Sequence, residues 1–310
     1  MPVAAYAVAS DTGRRRRHNE DDYVVSPPLF AVADGMGGAQ AGEVASGLAA
    51  GTLKGGDSNG LDGPAQVDAL IQEANRLIYD RASNDPTASG MGTTMTVALV
   101  EGMTVAIGHV GDSRAYLVRG DTMEQLTDDH SLVNELVKSG KLSEQEAQLH
   151  PQRSVITRAV GTDPDVDVDS FTIEAEEGDI FLICSDGLTD MVEDEEILEL
   201  VHRNRDDLEQ AVKALVSAAN RGGGEDNITA LAFRVTADAA ANLEDTVAMP
   251  AIDAAEPDEE TREYVETDEP TAADAGADRP APDPRRVRVV LLALLLLLIA
   301  AALILWGLLR

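Results

Sequence analysis

The sequence predicts an α+β domain in which antiparallel strands are layered with helices that lie before, between and after them. Three observations carry that expectation. Strand-like segments fall into two groups along the chain, and stretches of helical spacing separate and follow them. Several of the strands are apolar on consecutive residues, the pattern of a strand buried on both faces. The same strands adjoin short acidic clusters: Phe30-Ala31-Val32-Ala33 runs into Asp34, Asp179–Cys184 runs into Asp186, and Ile228–Val235 follows Asp226.

In chain order, Val3–Ser10 alternates as a strand does, and so does Val24–Ser26 before the turn at Pro27-Pro28. Helical spacing follows over Glu43–Lys54 and Gln66–Ser83. In the second of these Val67, Leu70, Ile71, Ala74, Leu77 and Ile78 form one apolar stripe, read as core rather than a partner groove. Gly55–Gly63 between them is a Gly/Asp/Ser/Asn loop. Thr93–Val100, Thr104–Val110, Ala115–Arg119 and Met123–Leu126 succeed one another at short intervals, the pattern of an antiparallel meander. His130–Ser139 and Ser143–Leu149 read as short helices joined at Gly140, and an irregular polar stretch continues to Asp169. Asp194–Arg203 and Asp206–Arg221 read as a helix pair, each opening on an aspartate suited to an N-cap, and Gly222-Gly223-Gly224 ends the second.

A carboxylate at the end of a buried strand lies at the edge of a core. Several gathered there repel one another, at a cost of several kcal/mol unless a cation neutralises them. Hard oxygen donors of this kind suit Mg²⁺ or Mn²⁺. The ordered set Gly13-x-x-Arg16-x-x-Asn19-Glu20-Asp21, Asp34-Gly35-x-Gly37-Gly38, Gly92-Thr93-Thr94, Gly111-Asp112-Ser113-Arg114, Ser185-Asp186-Gly187 and Asp226-Asn227 resembles the metal-dependent, type 2C Ser/Thr protein phosphatases of the bacterial kind. The resemblance covers roughly residues 3–236.

That resemblance implies an α/β/β/α sandwich of two antiparallel sheets flanked by helices, over residues 1–235, with a mobile flap at about 130–169. It implies two Mn²⁺ or Mg²⁺ ions whose bridging water attacks phosphorus in line, without a covalent phosphoenzyme. Asp34, the Gly35 carbonyl, Asp186 and Asp226 would be the metal ligands, with Glu20 and Asp21 one shell out, ordering water. Asp112 would hold a third, weaker ion with Asp186, and Ser154 of the flap is a further candidate contact. Among Arg14 to Arg17, the spacing to Gly13 and Asn19 selects Arg16 as the phosphate-binding arginine, and the other three are read as solvated. Met36 stands where many eukaryotic relatives carry a histidine, and it cannot donate a proton to a leaving group. His109 is read as structural, and His18 is unplaced.

The formal charge of −32 over 310 residues excludes a nucleic-acid-binding surface. The single cysteine, Cys184, excludes an internal disulfide and reads as a small buried hydrophobe. Pro2–Ser10 is too short for a signal peptide and is followed by four arginines. Residues 236–284 carry 15 Asp and Glu against two Arg, with Tyr264 as the one aromatic, so a disordered acidic tether is expected. Val289–Leu309 is 21 residues without a charge, about 32 Å as a helix and long enough for one bilayer crossing. With Arg285, Arg286 and Arg288 before it and Arg310 after, residues 285–310 read as a basic flank and single membrane helix, a tail anchor leaving the catalytic domain in the cytoplasm.

The expected function is thus a membrane-tethered phosphatase of phosphoserine and phosphothreonine. It would act on phosphorylated proteins, Ser/Thr kinases among them, with a catalytic domain expected to be a monomer. Two alternatives stand beside it: a specialised phosphatase in a partner-switching pathway, and an inactive phosphatase-like scaffold. The presence of every matched ligand position argues against the scaffold.

Overall fold

Alternation within the buried strands decides the architecture. Along β3 (Leu29–Met36), Phe30 and Val32 face one way while Ala31 and Ala33 face the other, and all four are buried. The same division holds in β10 (Ile180–Cys184) and β11 (Ile228–Val235), where Phe181, Ile183, Leu231 and Phe233 share a core with Phe30. An antiparallel strand apolar on both faces needs cover on both, and a second sheet with outer helices supplies it. The structure, a computed structural model, describes residues 2–55 and 61–237.

One sheet has the order β1 (Val3–Asp11), β11, β10, β7 (Arg114–Arg119), β8 (Thr122–Gln125). The other runs β2 (Asp21–Ser26), β3, β5 (Met95–Glu101), β6 (Thr104–Val110), β9 (Asp169–Glu174), with β4 (Gly92–Thr93) pairing on β3. Neighbouring strands are antiparallel throughout. Helices α1 (Gly38–Gly55) and α2 (Gly63–Asn84) cover the second sheet through Ala45, Ala49, Val67, Ile71 and Ile78. On the first sheet, α6 (Asp194–Arg203) and α7 (Leu208–Gly222) lay down Ile197, Val201, Val212 and Leu215. Four layers thus enclose three cores, and the expected α/β/β/α sandwich is what the chain builds. Between the sheets Phe233 stacks on Phe30 at 4.4 Å and on Phe181 at 5.1 Å.

Several elements depart from expectation. The four strands after Thr93 are not one meander: β5 and β6 pair in one sheet and β7 and β8 in the other. The chain changes sheets at Gly111, whose φ of +116° turns it sharply between β6 and β7. Strand β9 begins at Asp169, where the stretch read as irregular ends, and was not expected. It is a half-buried edge strand whose alternation is diluted by the aspartates before it. The short α5 (Asp186–Thr189) was not expected either. Asp194 and Asp206 are not the N-caps: Glu193 precedes α6 without a side-chain cap, and Asp207 caps α7 by accepting from the Gln210 amide at 3.0 Å. In the α2 stripe Leu77 is only half-buried, whereas the other five are buried.

Within the flap, α3 (Leu132–Lys138) starts at the Ser131 cap and α4 (Glu144–Gln148) at a Ser143/Glu146 capping box. Cys184 is fully buried, and burial pushes its thiol up to about 12. The acidic linker 236–284, apart from residues 236 and 237, and the basic flank and apolar run 285–310 lie outside the described residues. Among the described residues no helix is long and apolar enough to cross a membrane.

Candidate active site

Strand pairing sets Asp21 of β2 opposite Asp34 of β3. The Asp34 backbone is fastened on the other side by the Gly92-Thr93-Thr94 segment. Its amide donates to Thr94 Oγ1 at 3.0 Å, and its carbonyl accepts from Thr93 Oγ1 and from the Thr94 amide, both at 2.8 Å. Asp21 Oδ2 accepts from Ser185 Oγ at 2.8 Å and Thr229 Oγ1 at 2.6 Å, which ties the ends of β10 and β11 to β2. Asp21 therefore stands behind the cavity wall.

The arginine loop is held from the opposite sheet. Gly13 has φ +74°, and a Cβ there would lie 2.1 Å from the Asp226 carbonyl oxygen, so only glycine lets the loop pass. Asn227 pins the loop at both ends. Its Nδ2 donates to the carbonyls of Thr12 at 3.0 Å and His18 at 2.9 Å, and its Oδ1 accepts from the Glu20 amide at 2.8 Å. In consequence Arg16 Nη2 donates to Asp226 Oδ2 at 2.6 Å, with Nη1 3.5 Å from Glu20 Oε2. Burial opposes the charge on Arg16, but Asp226, Glu20 and Asp34 together outweigh it and the guanidinium pKa is raised. Arg14 lies elsewhere, in a groove against α7.

Arg16, Glu20, Asp34, Gly35, Asp112, Asp186 and Asp226 all line one cavity of about 620 Å³. Met36, His18, Ser154 and Ile156 line it too, and so does Arg17, one of the arginines read as solvated. Of the residues singled out from sequence, Asp21 and His109 stand outside it. His109 is buried, bonded to Thr96 Oγ1 and the Asp128 carbonyl, as a structural histidine should be.

Like charge dominates this cavity. Burial, followed by the fields of Asp21, Asp186 and Asp112, drives the Asp34 carboxyl well above the usual range. Burial and then Asp112 and Asp226 do the same to Asp186. Burial and Asp129 push Asp112 to about 7, and burial pushes Asp21 to about 6. The Oδ1 atoms of Asp112 and Asp186 are buried with no hydrogen-bond partner. Among the described residues no three His, Cys, Asp or Glu side chains are drawn tightly enough around one point to hold an ion as they stand. The orphaned oxygens and mutual repulsion nonetheless fit a divalent cation, the one partner that satisfies both at once.

Sequence reading quoted Thr93, Thr94, Ser185 and Asn227 within motifs without giving them work; the structure makes them the fasteners of the site. It missed Asp190, four residues after Asp186, whose pKa burial raises and whose Oδ2 lies 3.6 Å from Arg153 of the flap. The helical i, i+4 spacing was the available signal.

Comparison with known proteins agrees with this geometry. The model of the protein phosphatase 2C family matches residues 14–231. The serine/threonine phosphatase stp of Listeria innocua is 40% identical over 233 residues, covering 72% of this chain and 92% of that protein. The serine/threonine protein phosphatase PstP of Mycobacterium tuberculosis is 42% identical over 229 residues, 73% of this chain and 44% of that longer protein. A crystal structure of the Mycobacterium tuberculosis phosphatase PstP/Ppp superposes with a TM-score of 0.72 at 40% identity, over 76% of this chain and 99% of that one. A PstP catalytic domain in complex with two manganese ions gives 0.70 at 38% identity, over 76% and 99%.

Proposed function

The chain belongs to the protein phosphatase 2C family and is a protein serine/threonine phosphatase, and from that premise we propose that it works at the cytoplasmic face of a membrane, reversing the action of Ser/Thr kinases. The enzyme depends on Mn²⁺ or Mg²⁺, with Asp34, the Gly35 carbonyl, Asp186 and Asp226 as the residues to hold the ions and Asp112 a weaker additional ligand. When bound, the metal acidifies the attacking water and balances charge on the phosphoryl oxygens. Glu20 and Asp226 keep the planar Arg16 fork at the cavity, where it can take two oxygens of an incoming phosphate. Met36 offers the leaving oxygen no proton.

One observation carries the catalytic reading: residues from five distant motifs line a single cavity in which Asp112 and Asp186 each bury an oxygen that has no hydrogen-bond partner. Hydrolysis of para-nitrophenyl phosphate and of a phosphothreonine peptide with Mn²⁺, abolished by chelation, is the expected result. A well-folded protein inert in both assays would be a scaffold instead. The location rests on the uncharged run 289–309 and the arginines before it. Full-length protein should pellet with membranes at high speed, and truncation after Thr236 should release an enzyme with unchanged turnover on small phosphopeptides. Full-length protein left in the supernatant would overturn the anchor. For kinase opposition, the phosphoproteome of a deletion strain should show phosphoserine and phosphothreonine sites rising.

A further inference from the structure

We infer that His130 is a positioning residue that couples the flap to the turn carrying Asp112, a reading that rests on the cavity being the phosphatase site. The contact is reciprocal. The His130 amide donates to the Gly111 carbonyl at 2.7 Å, and the Gly111 amide donates back to ring Nδ1 at 3.0 Å. A ring nitrogen that accepts from an amide carries no proton, so the proton sits on Nε2, facing Asp169 Oδ2 at 3.1 Å. Arg158 comes in from the returning leg of the flap. Its Nη1 donates to Asp169 Oδ1 at 2.7 Å and lies 2.9 Å from His130 Nε2. The His130 carbonyl accepts from the Thr157 amide at 2.8 Å, and Ser131 bridges Ile156. Both legs of the flap therefore meet at this one residue.

What His130 grips is the neighbour of a buried carboxylate. Asp112 lines the cavity with its Oδ1 orphaned. On the far side the turn is closed off, since a Cβ on Gly111 would stand 2.5 Å from Thr94 Cβ and Thr94 Oγ1 is bonded to Ser113 Oγ at 2.7 Å. The bidentate Arg114–Asp129 pair, at 2.9 and 2.7 Å, roots the flap on β7. With the root fixed, the His130 ring links movement of the returning leg to the turn. Ser154 and Ile156 on that leg line the same cavity. A phosphoprotein that presses on Ser154 or Ile156 thus acts on Asp112 through His130.

Three variants test this. Asparagine can put Oδ1 close to the place of Nδ1 and keep the acceptor for Gly111, whereas glutamine reaches the place of Nε2 and keeps only the Asp169 contact. In metal-free protein, His130→Ala and His130→Gln should speed exchange of the Gly111 amide hydrogen at least about tenfold, and His130→Asn should not. With Mn²⁺ added, equilibrium dialysis should show the weakest-bound ion loosened about tenfold in Ala and Gln, with tighter binding unchanged and kcat down about tenfold at similar KM. His130→Asn should restore both. If all three variants lose melting temperature alike and leave Gly111 exchange and Mn²⁺ stoichiometry unchanged, His130 is only a packed histidine and the inference fails. Absence of Mn²⁺-dependent hydrolysis in the wild type would instead overturn the phosphatase reading, while the exchange experiment still judges the clamp.

Discussion

Arg16 Nη2 and Asp226 Oδ2 lie 2.6 Å apart although 210 residues separate them in the chain. A cation at the mouth of an acidic cavity is thereby aimed by the carboxylates it will face. It is half-exposed, at 46% of the side chain, so a phosphate can reach it without opening the fold.

Arg16→Ala should raise KM for a phosphothreonine peptide and lower kcat/KM roughly 10- to 100-fold, the equivalent of a charge-assisted hydrogen bond of about 1.5–3 kcal/mol. Arg14→Ala should change little, because the Arg14 side chain lies in the groove against α7 and its loop is held by the Arg14 amide on the Gly224 carbonyl at 2.7 Å. Steady-state kinetics on both variants decides the matter; a sensitive Arg14 would place the phosphate elsewhere.

Neutralising the cavity should separate activity from stability. Asp34→Asn and Asp226→Asn should each cut turnover by orders of magnitude while leaving the fold intact. Adding Mn²⁺ at about 100 times its Kd should stabilise wild type by about 2.7 kcal/mol, a rise of roughly 5–10 °C, and the gain should shrink in both variants. Thermal melts with and without chelator read this out, and equal shifts in all three proteins would contradict the ligand assignment.

His109 supplies a pH dependence whose sign is fixed by burial. Burial first and His130 second hold its folded pKa near 4, against 6.5 when unfolded. Between those values the unfolded chain binds a proton the folded chain refuses. Its contribution to stability is therefore intact above about pH 6.5 and lost as pH falls through 4, about 3 kcal/mol in all. Urea unfolding in chelator at pH 7 and pH 4.5 should show His109→Asn gaining on wild type by up to that amount at the lower pH, the cavity carboxylates, whose raised pKa values act in the opposite sense, being common to both proteins.

Phe233 is the hub between the sheets, stacked on Phe30 and Phe181. Phe233→Ala should destabilise by about 3–5 kcal/mol. Leu149→Ala, in a side chain 86% exposed on the flap, should stay within about 0.5 kcal/mol. Denaturant midpoints for the two variants provide the comparison.

Much of the fold was legible because burial on both faces writes itself into consecutive apolar residues. Thr104–Val110, Asp194–Arg203 and Ile228–Val235 appear as elements at the bounds their patterns suggest. Strand β9 escaped because an edge strand needs only one apolar face, and Asp163, Asp165 and Asp167 precede it. The sheet change at Gly111 escaped because periodicity within a strand says nothing about which sheet the next strand joins.

By itself the sequence determined where the carboxylates stand relative to buried strands, which glycines and arginines accompany them, and how acidic the chain is, because these depend on local spacing and composition. Only the tertiary structure decided that Asp112 and Asp186 leave oxygens orphaned in one cavity, that Ser185 and Thr229 hold Asp21 beside Asp34 but outside the cavity lining, and that His130 clasps Gly111. The physical reason is that desolvation and hydrogen-bond direction depend on which distant segments arrive beside a group, and spacing along the chain does not encode that arrival.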